Sequence, residues 1–168
     1  MRLNPGKFYH KTVFLDANAI IYYLEGISNE VADQIIELGS KEMARIKLLT
    51  TTRVIDETLF KITLIRAKAL YGFKSKALEK LKKDKAKVET LAKDIKKVFQ
   101  FLDTLNITVV ETTLKDLRLI PEIMRTWGIF GNDALIIKTM KRYNLKYILS
   151  SDKGFDQIKW IERVDPLG

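Results

Sequence analysis

The chain has 168 residues and a net charge of +9, with 46% hydrophobic and 30% charged residues, which is typical of one globular domain. It has no cysteine and a single histidine, His10, so disulfides, thiolate catalysis and zinc–thiolate sites are excluded. No apolar run approaches the roughly 20 residues that span a bilayer, and residues 1–11 lack the apolar core of a signal peptide. We therefore expect one cytoplasmic domain, residues 1–168, whose partner is a polyanion or an acidic protein.

Strand-like and helix-like patterns alternate along the chain. In chain order, they predict strands at residues 12–15, 46–49, 107–110, 147–149 and 161–166. The predicted helices lie at 17–24, 28–39, 53–70, 115–127 and 132–144, the one at 115–127 being weaker, and a long amphipathic helix lies within 74–105. Strands that alternate with helices are typical of βαβ units around a parallel sheet. The predicted fold is therefore a single α/β domain with a central, mainly parallel sheet.

Acidic residues fall where these predicted elements meet. Asp16 follows the first strand, and Asp152 follows the strand at 147–149. Asp133 lies in the first turn of a helix for which Asn132 is the predicted N-cap. Right-handed crossovers place the carboxyl ends of parallel strands at one edge of the sheet, where these three side chains can meet. Each also has a structural interpretation, because the helix macrodipole favours Asp133 and the other two suit turns or caps.

The helix at 53–70 brings a further candidate, and the threonines at 50–52 supply its cap. Its predicted apolar face consists of Ile55, Leu59, Ile62, Ile65 and Ala69. Asp56 and Glu57 fall on opposite borders of this face, and helical periodicity does not choose between them. Either carboxylate can reach the edge of the core.

The lysine-rich segment, residues 74–97, carries much of the positive charge. It contains ten lysines and four acidic residues, a local net charge of +6. A stripe at three-and-four spacing predicts one long amphipathic helix, interrupted only at Asp84 and Lys85. The stripe comprises Leu81, Val88, Leu91, Ile95, Val98, Leu102 and Leu105. Such helices more often present a solvated face than a binding surface. The candidates for holding nucleic acid phosphates from its outward face are Lys80, Lys83 and Lys87.

A cluster of carboxylates requires a compensating charge, because its members repel one another. Without cysteine and with one histidine, the available ligands are hard oxygens, which suit Mg²⁺ or Mn²⁺. Such ions activate water and orient a phosphodiester. A basic protein with an acidic crevice that binds metal would therefore suit hydrolysis of a nucleic acid backbone.

Four short motifs occur in an order that resembles the PIN-domain family, and most of all its VapC-type toxin nucleases. They are Val13-Phe-Leu-Asp16-Ala-Asn18-Ala-Ile-Ile-Tyr22, Thr51-x-x-Val54-x-x-Glu57, Asn132-Asp133-Ala134 and Ser150-x-Asp152-x-x-Phe155. The resemblance implies a three-layer α/β/α fold and an endoribonuclease that depends on Mg²⁺ or Mn²⁺. Carried over by position, it implies a catalytic and metal-binding set of Asp16, Glu57, Asp133 and Asp152, and so favours Glu57 over Asp56. Asn18 and Ser150 match polar positions beside these acids, and Asp156 is a further carboxylate expected behind the metal ligands.

The resemblance also implies partners, namely RNA as the substrate, a second copy of the chain in a homodimer, and a small acidic antitoxin protein. No membrane association is expected. The lysine-rich segment makes the chain longer than a typical compact toxin, so a housekeeping role in RNA processing remains open. Three other hypotheses about function also remain: a DNA nuclease on the same fold, a PIN-like module that binds RNA or protein without cutting, and a generic α/β domain whose acidic residues are caps.

Overall fold

The computed structural model describes residues 4–73 and 75–168, and within them a five-stranded parallel sheet forms the centre. The strands are β1 (Thr12–Leu15), β2 (Lys47–Thr51), β3 (Thr108–Val110), β4 (Tyr147–Leu149) and β5 (Glu162–Val164). Their order is β3-β2-β1-β4-β5, and every pairing is parallel. The predicted parallel sheet is therefore confirmed.

Helices cover both faces of the sheet. They are α1 (Ala17–Leu24), α2 (Glu30–Glu37), α3 (Thr52–Tyr71), α4 (Ala77–Leu81), α5 (Lys85–Thr104), α6 (Leu114–Leu117), α7 (Ile120–Trp127) and α8 (Gly131–Arg142). The chain moves outward from β1 through β2 to β3, then returns across β1 to β4. Because parallel crossovers are right-handed, α1 to α5 lie on one face and α6 to α8 on the other. The result is the expected three-layer α/β/α arrangement.

The central strands are buried on both sides, as apolar strands of a covered parallel sheet should be. In β1, Val13, Phe14 and Leu15 are fully inaccessible, and β4 is buried along its whole length. Where β1 and β4 end, the polar residues Asp16 and Ser150 are buried too. This edge of the sheet is the place where buried polar groups must find partners.

The lysine-rich segment is two helices rather than the one that the periodicity predicts. The short helix α4 ends at Leu81, and α5 begins only at Lys85, with Asp84 as its N-cap. The Asp84 side chain accepts from the backbone N–H of Lys87 at 3.2 Å, which starts a new helix instead of continuing the old one. Lys74, the first lysine of the segment, lies outside the described residues.

The hairpin of α3 and α5 has its own apolar contacts, with α4 packed at one end. Its small cluster is formed by Ala67, Ala77, Leu81 and Leu91. Val88, predicted to face inward, is 43% exposed, because the break before α5 shifts the stripe around the helix axis. Ile65, predicted on the apolar face of α3, is also exposed, because the second half of α3 packs on α4 and α5 rather than on the sheet.

Helix boundaries follow the predicted caps with one exception. Thr51 caps α3 by accepting from the N–H of Val54, and the left-handed Gly72 and Gly128 end α3 and α7. Asn132, the predicted N-cap of α8, instead lies inside the first turn, and Phe130 occupies the cap position without a side-chain hydrogen bond. Within residues 4–73 and 75–168, no helix combines the length and apolar character needed to cross a bilayer.

Candidate active site

Asp16 joins the ends of the two central strands through a buried hydrogen-bond network. Its Oδ1 accepts from the N–H of Ala17 at 2.6 Å, so it also caps α1. Its Oδ2 accepts from Nδ2 of Asn18 at 2.6 Å and from the hydroxyl of Ser150 at 2.7 Å. Burial raises the pKa of Asp16, against the opposing effect of the Ser150 hydrogen bond. A carboxylate held in this way has a fixed orientation and retains lone pairs for another ligand.

Asn18 and Ser150 connect Asp16 to the loop after β4, which carries Asp152. The side-chain oxygen of Asn18 accepts from the N–H of Ser151 at 2.9 Å. The hydroxyl of Ser150 accepts from the N–H of Asp152 at 3.0 Å. These bonds explain geometrically why polar residues occupy both positions, since they lock the loop after β4 against the start of α1.

Asp133 feels the charges of the other three carboxylates of the cluster. Burial is the largest cause of its raised pKa, and together with the charges of Asp16 and Asp152, a hydrogen bond with Asp152 and the charge of Glu57 it brings that pKa to about 7. Asp152 is exposed and accepts from the N–H of Gly154 at 2.7 Å. In the protein without metal, a proton on Asp133 therefore relieves repulsion among four carboxylates.

Glu57 reaches the same cluster from the other side, whereas Asp56 does not. Glu57 accepts from Nδ2 of Asn132 at 2.5 Å and pairs with Nζ of Lys61 at 2.6 Å. Asp56 points to solvent, where it pairs with Arg53 at 2.7 Å. Helical periodicity did not choose between these two neighbouring acids, and of the two the fold places only Glu57 toward the cluster.

Lys61 is the site residue that the sequence reasoning missed. Burial lowers its pKa, but the hydrogen bond and charge of Glu57 and the charge of Asp16 outweigh that effect, so the pKa is raised. The signal in the sequence was the four-residue spacing from Glu57 to Lys61 on one helix, which favours an ion pair. Lys61 thus supplies one compensating positive charge within the cluster.

Asp156 lies outside the cluster. Its two oxygens pair with Arg163 at 2.7 and 3.0 Å, and Arg163 also donates to the backbone carbonyl of Ser150 at 3.0 Å. Arg163 holds the pKa of Asp156 below its usual range. Asp156 therefore contacts the site only through Arg163, which braces the loop after β4.

The three candidate phosphate-binding lysines are also far from the carboxylates. Lys80 lies in α4, Lys83 in the turn after it and Lys87 in α5, so they do not share one helix face as predicted. Residues 57 and 71 are fourteen positions apart on α3, which is about 21 Å along the axis, and α4 packs at the far end. Lys87 pairs there with Asp84 at 2.6 Å.

The cluster fits a divalent cation by the chemistry of its donors. It offers carboxylate oxygens, which are the ligands that Mg²⁺ and Mn²⁺ prefer, and the raised pKa of Asp133 reports its unrelieved negative charge. Among the described residues, however, no three acidic or histidine side chains converge as they stand on one point where an ion would sit. Glu57 is turned toward Lys61 and Asn132, and Asp152 accepts from the N–H of Gly154, so a common coordination sphere requires rotation of more than one side chain.

Comparison with known proteins identifies the family of this chain. Ribonuclease VapC2 of Methanocaldococcus jannaschii is 29% identical over 163 residues, which cover 95% of this chain and 97% of that protein. Ribonuclease VapC6 of the same organism is 26% identical over 115 residues, covering 65% of this chain and 70% of that protein. A chain in the crystal structure of VapBC2 from Rickettsia felis bound to a DNA fragment from their promoter aligns with this one at a TM-score of 0.53 and 14% identity. The alignment covers 91% of this chain and 97% of that chain, and it shows a similar fold. The model of the PIN domain matches residues 13–161, and the chain belongs to the PIN-domain family.

Proposed function

We propose that this protein is a metal-dependent endoribonuclease whose active site consists of Asp16, Glu57, Asp133 and Asp152. One observation carries the proposal: Asp133 lies in the first turn of α8 beside the other three carboxylates, and burial together with their charges raises its pKa to about 7. A fold maintains such repulsion at a cost, and a bound cation removes it. The names of the two relatives, both ribonucleases, support the choice of reaction.

The chemistry comes from the cation together with residues that hold it. When bound, Mg²⁺ or Mn²⁺ supplies Lewis acidity, which activates water and offsets charge on the phosphodiester. Asp16 is fixed by Asn18 and Ser150 and would be the rigid ligand. Asp133 would release its proton when the cation replaces it, because both relieve the same repulsion.

Glu57 and Lys61 would respond to the arrival of the cation. In the protein without metal, the ammonium of Lys61 neutralises Glu57 at 2.6 Å. A bound cation would take over that role and leave Lys61 free to hold a phosphate oxygen beside the site. Lys61 would then act by positioning the substrate rather than by moving a proton.

The partners are also part of this proposal. A net charge of +9 favours RNA, and the proposed role of Lys80, Lys83 and Lys87 is to hold its backbone at a distance from the cut. The solved structure with a similar fold is of VapBC2. We propose that this chain likewise binds an acidic antitoxin, which inhibits it, and that it forms a homodimer. Light scattering of the purified protein tests the dimer, and a monomeric mass at micromolar concentration would contradict it.

Incubation of the purified protein with end-labelled single-stranded RNA tests the proposed reaction. We expect internal cleavage with Mn²⁺ or Mg²⁺ and none with EDTA. Asp152→Asn should reduce the rate at least about a hundredfold, since even residues behind a metal ligand contribute about 10- to 100-fold. Asp56→Asn is the matched control, because Asp56 neighbours Glu57 but faces solvent.

Three outcomes would contradict the proposal. Cleavage that persists in EDTA, or that the Asp152→Asn variant still performs, would show that the metal site takes no part in the reaction. Equal cleavage of DNA of the same sequence would show a nuclease that does not select RNA.

A further inference from the structure

Phe130 is exposed beside the carboxylates. It is 64% exposed, the largest fraction among the large apolar side chains of residues 4–73 and 75–168. Burying such a ring would stabilise a protein, and this fold leaves that gain unused. A single exposed apolar side chain is ordinary by itself, so its surroundings decide what it does.

The backbone holds Phe130 in this position. Gly128 and Gly131 on either side have φ of +66° and +58°, a conformation that favours glycine. Phe130 is extended between them, with φ −119° and ψ 160°. Its neighbour Ile129 is buried, and successive residues of an extended chain point to opposite sides. The turn therefore anchors Ile129 in the core and presents Phe130 outside.

A cleft next to Phe130 opens onto the carboxylate cluster. Its volume is about 190 Å³, and Phe130, Asp133, Gly154 and Gln157 are among the residues that line it. Asp133 thus belongs both to the cleft and to the proposed metal site. Gln157 is exposed there, and its amide can both donate and accept.

This location sets a particular requirement on an RNA substrate. In the protein without metal, the carboxylates repel a phosphate backbone at this edge of the sheet. Contacts here that do not depend on charge would therefore add to the affinity that the lysines supply. Base stacking on an aromatic ring is such a contact, and it tolerates all four bases. Proteins that read single-stranded RNA hold unstacked bases on Phe, Tyr or Trp in this way.

We propose that Phe130 is a stacking platform for a nucleobase of single-stranded RNA, next to the phosphodiester that is cut, with Gln157 at the edge of the same base. The inference rests on the proposed ribonuclease function. A base within a duplex has no free face to offer, so this platform requires unpaired RNA. A hairpin stem should therefore bind less well than its loop.

Binding of labelled RNA measured by fluorescence anisotropy in EDTA tests the platform without cleavage. Phe130→Ala should weaken the affinity for single-stranded RNA roughly tenfold, and Phe130→Trp should restore it. Phe130→Leu keeps an apolar side chain without a ring and should resemble Phe130→Ala. The matched control is Tyr143→Ala, another exposed aromatic at the opposite end of α8, about 18 Å away.

RNA of the same length without bases separates stacking from a change in the protein. On this abasic RNA, wild type and Phe130→Ala should bind equally weakly. If Phe130→Ala binds normal RNA as wild type does, while cleavage with Mn²⁺ proceeds, the platform is refuted and the proposed function stands. If wild type neither binds nor cuts RNA, both are refuted.

Discussion

Replacing Asp133 with asparagine should stabilise the protein without metal at neutral pH while abolishing cleavage. Burial and the neighbouring carboxylates raise the pKa of Asp133 from 3.8 to about 7 in the folded state. The folded protein therefore binds more protons than the unfolded chain between these values, so its free energy of unfolding falls as pH rises through that window. Asparagine carries no such proton, and its amide can still donate to Asp152.

The size of the effect follows from the shift in pKa. A rise from 3.8 to about 7 is about three units, and at about 1.36 kcal/mol per unit the ceiling is about 4 kcal/mol. Asp133 is only partly buried, so solvent screening lowers the expected gain to about 1–2 kcal/mol. For a chain of this size, that gain corresponds to a rise in Tm of roughly 2–8 °C.

Thermal unfolding in EDTA, followed by circular dichroism, measures this difference. The gain of Asp133→Asn over wild type should be smallest near about pH 4 and complete above about pH 7. Asp56→Asn should show no such trend, because Asp56 is exposed and paired with Arg53. With saturating Mn²⁺ the wild type should recover its stability, because the bound cation replaces the proton. A variant no more stable than wild type at about pH 8 would refute the repulsion on which the metal site is based.

Three further predictions concern other parts of the molecule. Lys61→Met should tighten Mn²⁺ binding measured by calorimetry, because the ammonium that pairs with Glu57 no longer competes with the cation; weaker binding would contradict this. Gly39→Ala should destabilise the protein by about 1–3 kcal/mol in urea unfolding, because a Cβ there would lie 2.4 Å from the buried Leu48 side chain, and an unchanged midpoint would contradict it. Replacing Lys80, Lys83 and Lys87 with alanine should flatten the salt dependence of RNA affinity by up to about 2 in log–log slope, at roughly 0.7 per contact. The cleavage rate at saturating RNA should stay unchanged, and an unaltered slope would contradict a role of these lysines in binding.

Alternating patterns were sufficient to predict the sheet and most helices, because strand ends and caps are encoded locally. Asp16 and Asp152 could be placed at one edge of the sheet from topology alone, since parallel crossovers allow few alternatives. Periodicity could not separate Asp56 from Glu57, because both border the apolar face of α3. That choice depends on Asn132, which tertiary packing brings to Glu57, whereas Lys61 pairs with Glu57 within the same helix.

The errors have similar physical causes. The lysine-rich segment was predicted as one helix because its apolar spacing resumes after the interruption at Asp84 and Lys85, but Asp84 caps a new helix there. Asn132 has the chemistry of an N-cap, but it lies inside the first turn of α8, where its Nδ2 donates to Glu57.

The most direct test of the central claim compares metal binding with metal activation in one preparation. Mn²⁺ binding is measured by calorimetry, and cleavage of labelled RNA is measured over the same range of Mn²⁺ concentrations. If Asp16, Glu57, Asp133 and Asp152 form the catalytic metal site, the two curves share one midpoint and both disappear in Asp152→Asn. Cleavage that is complete before the site fills, or binding that survives in Asp152→Asn while cleavage is lost, would contradict the account.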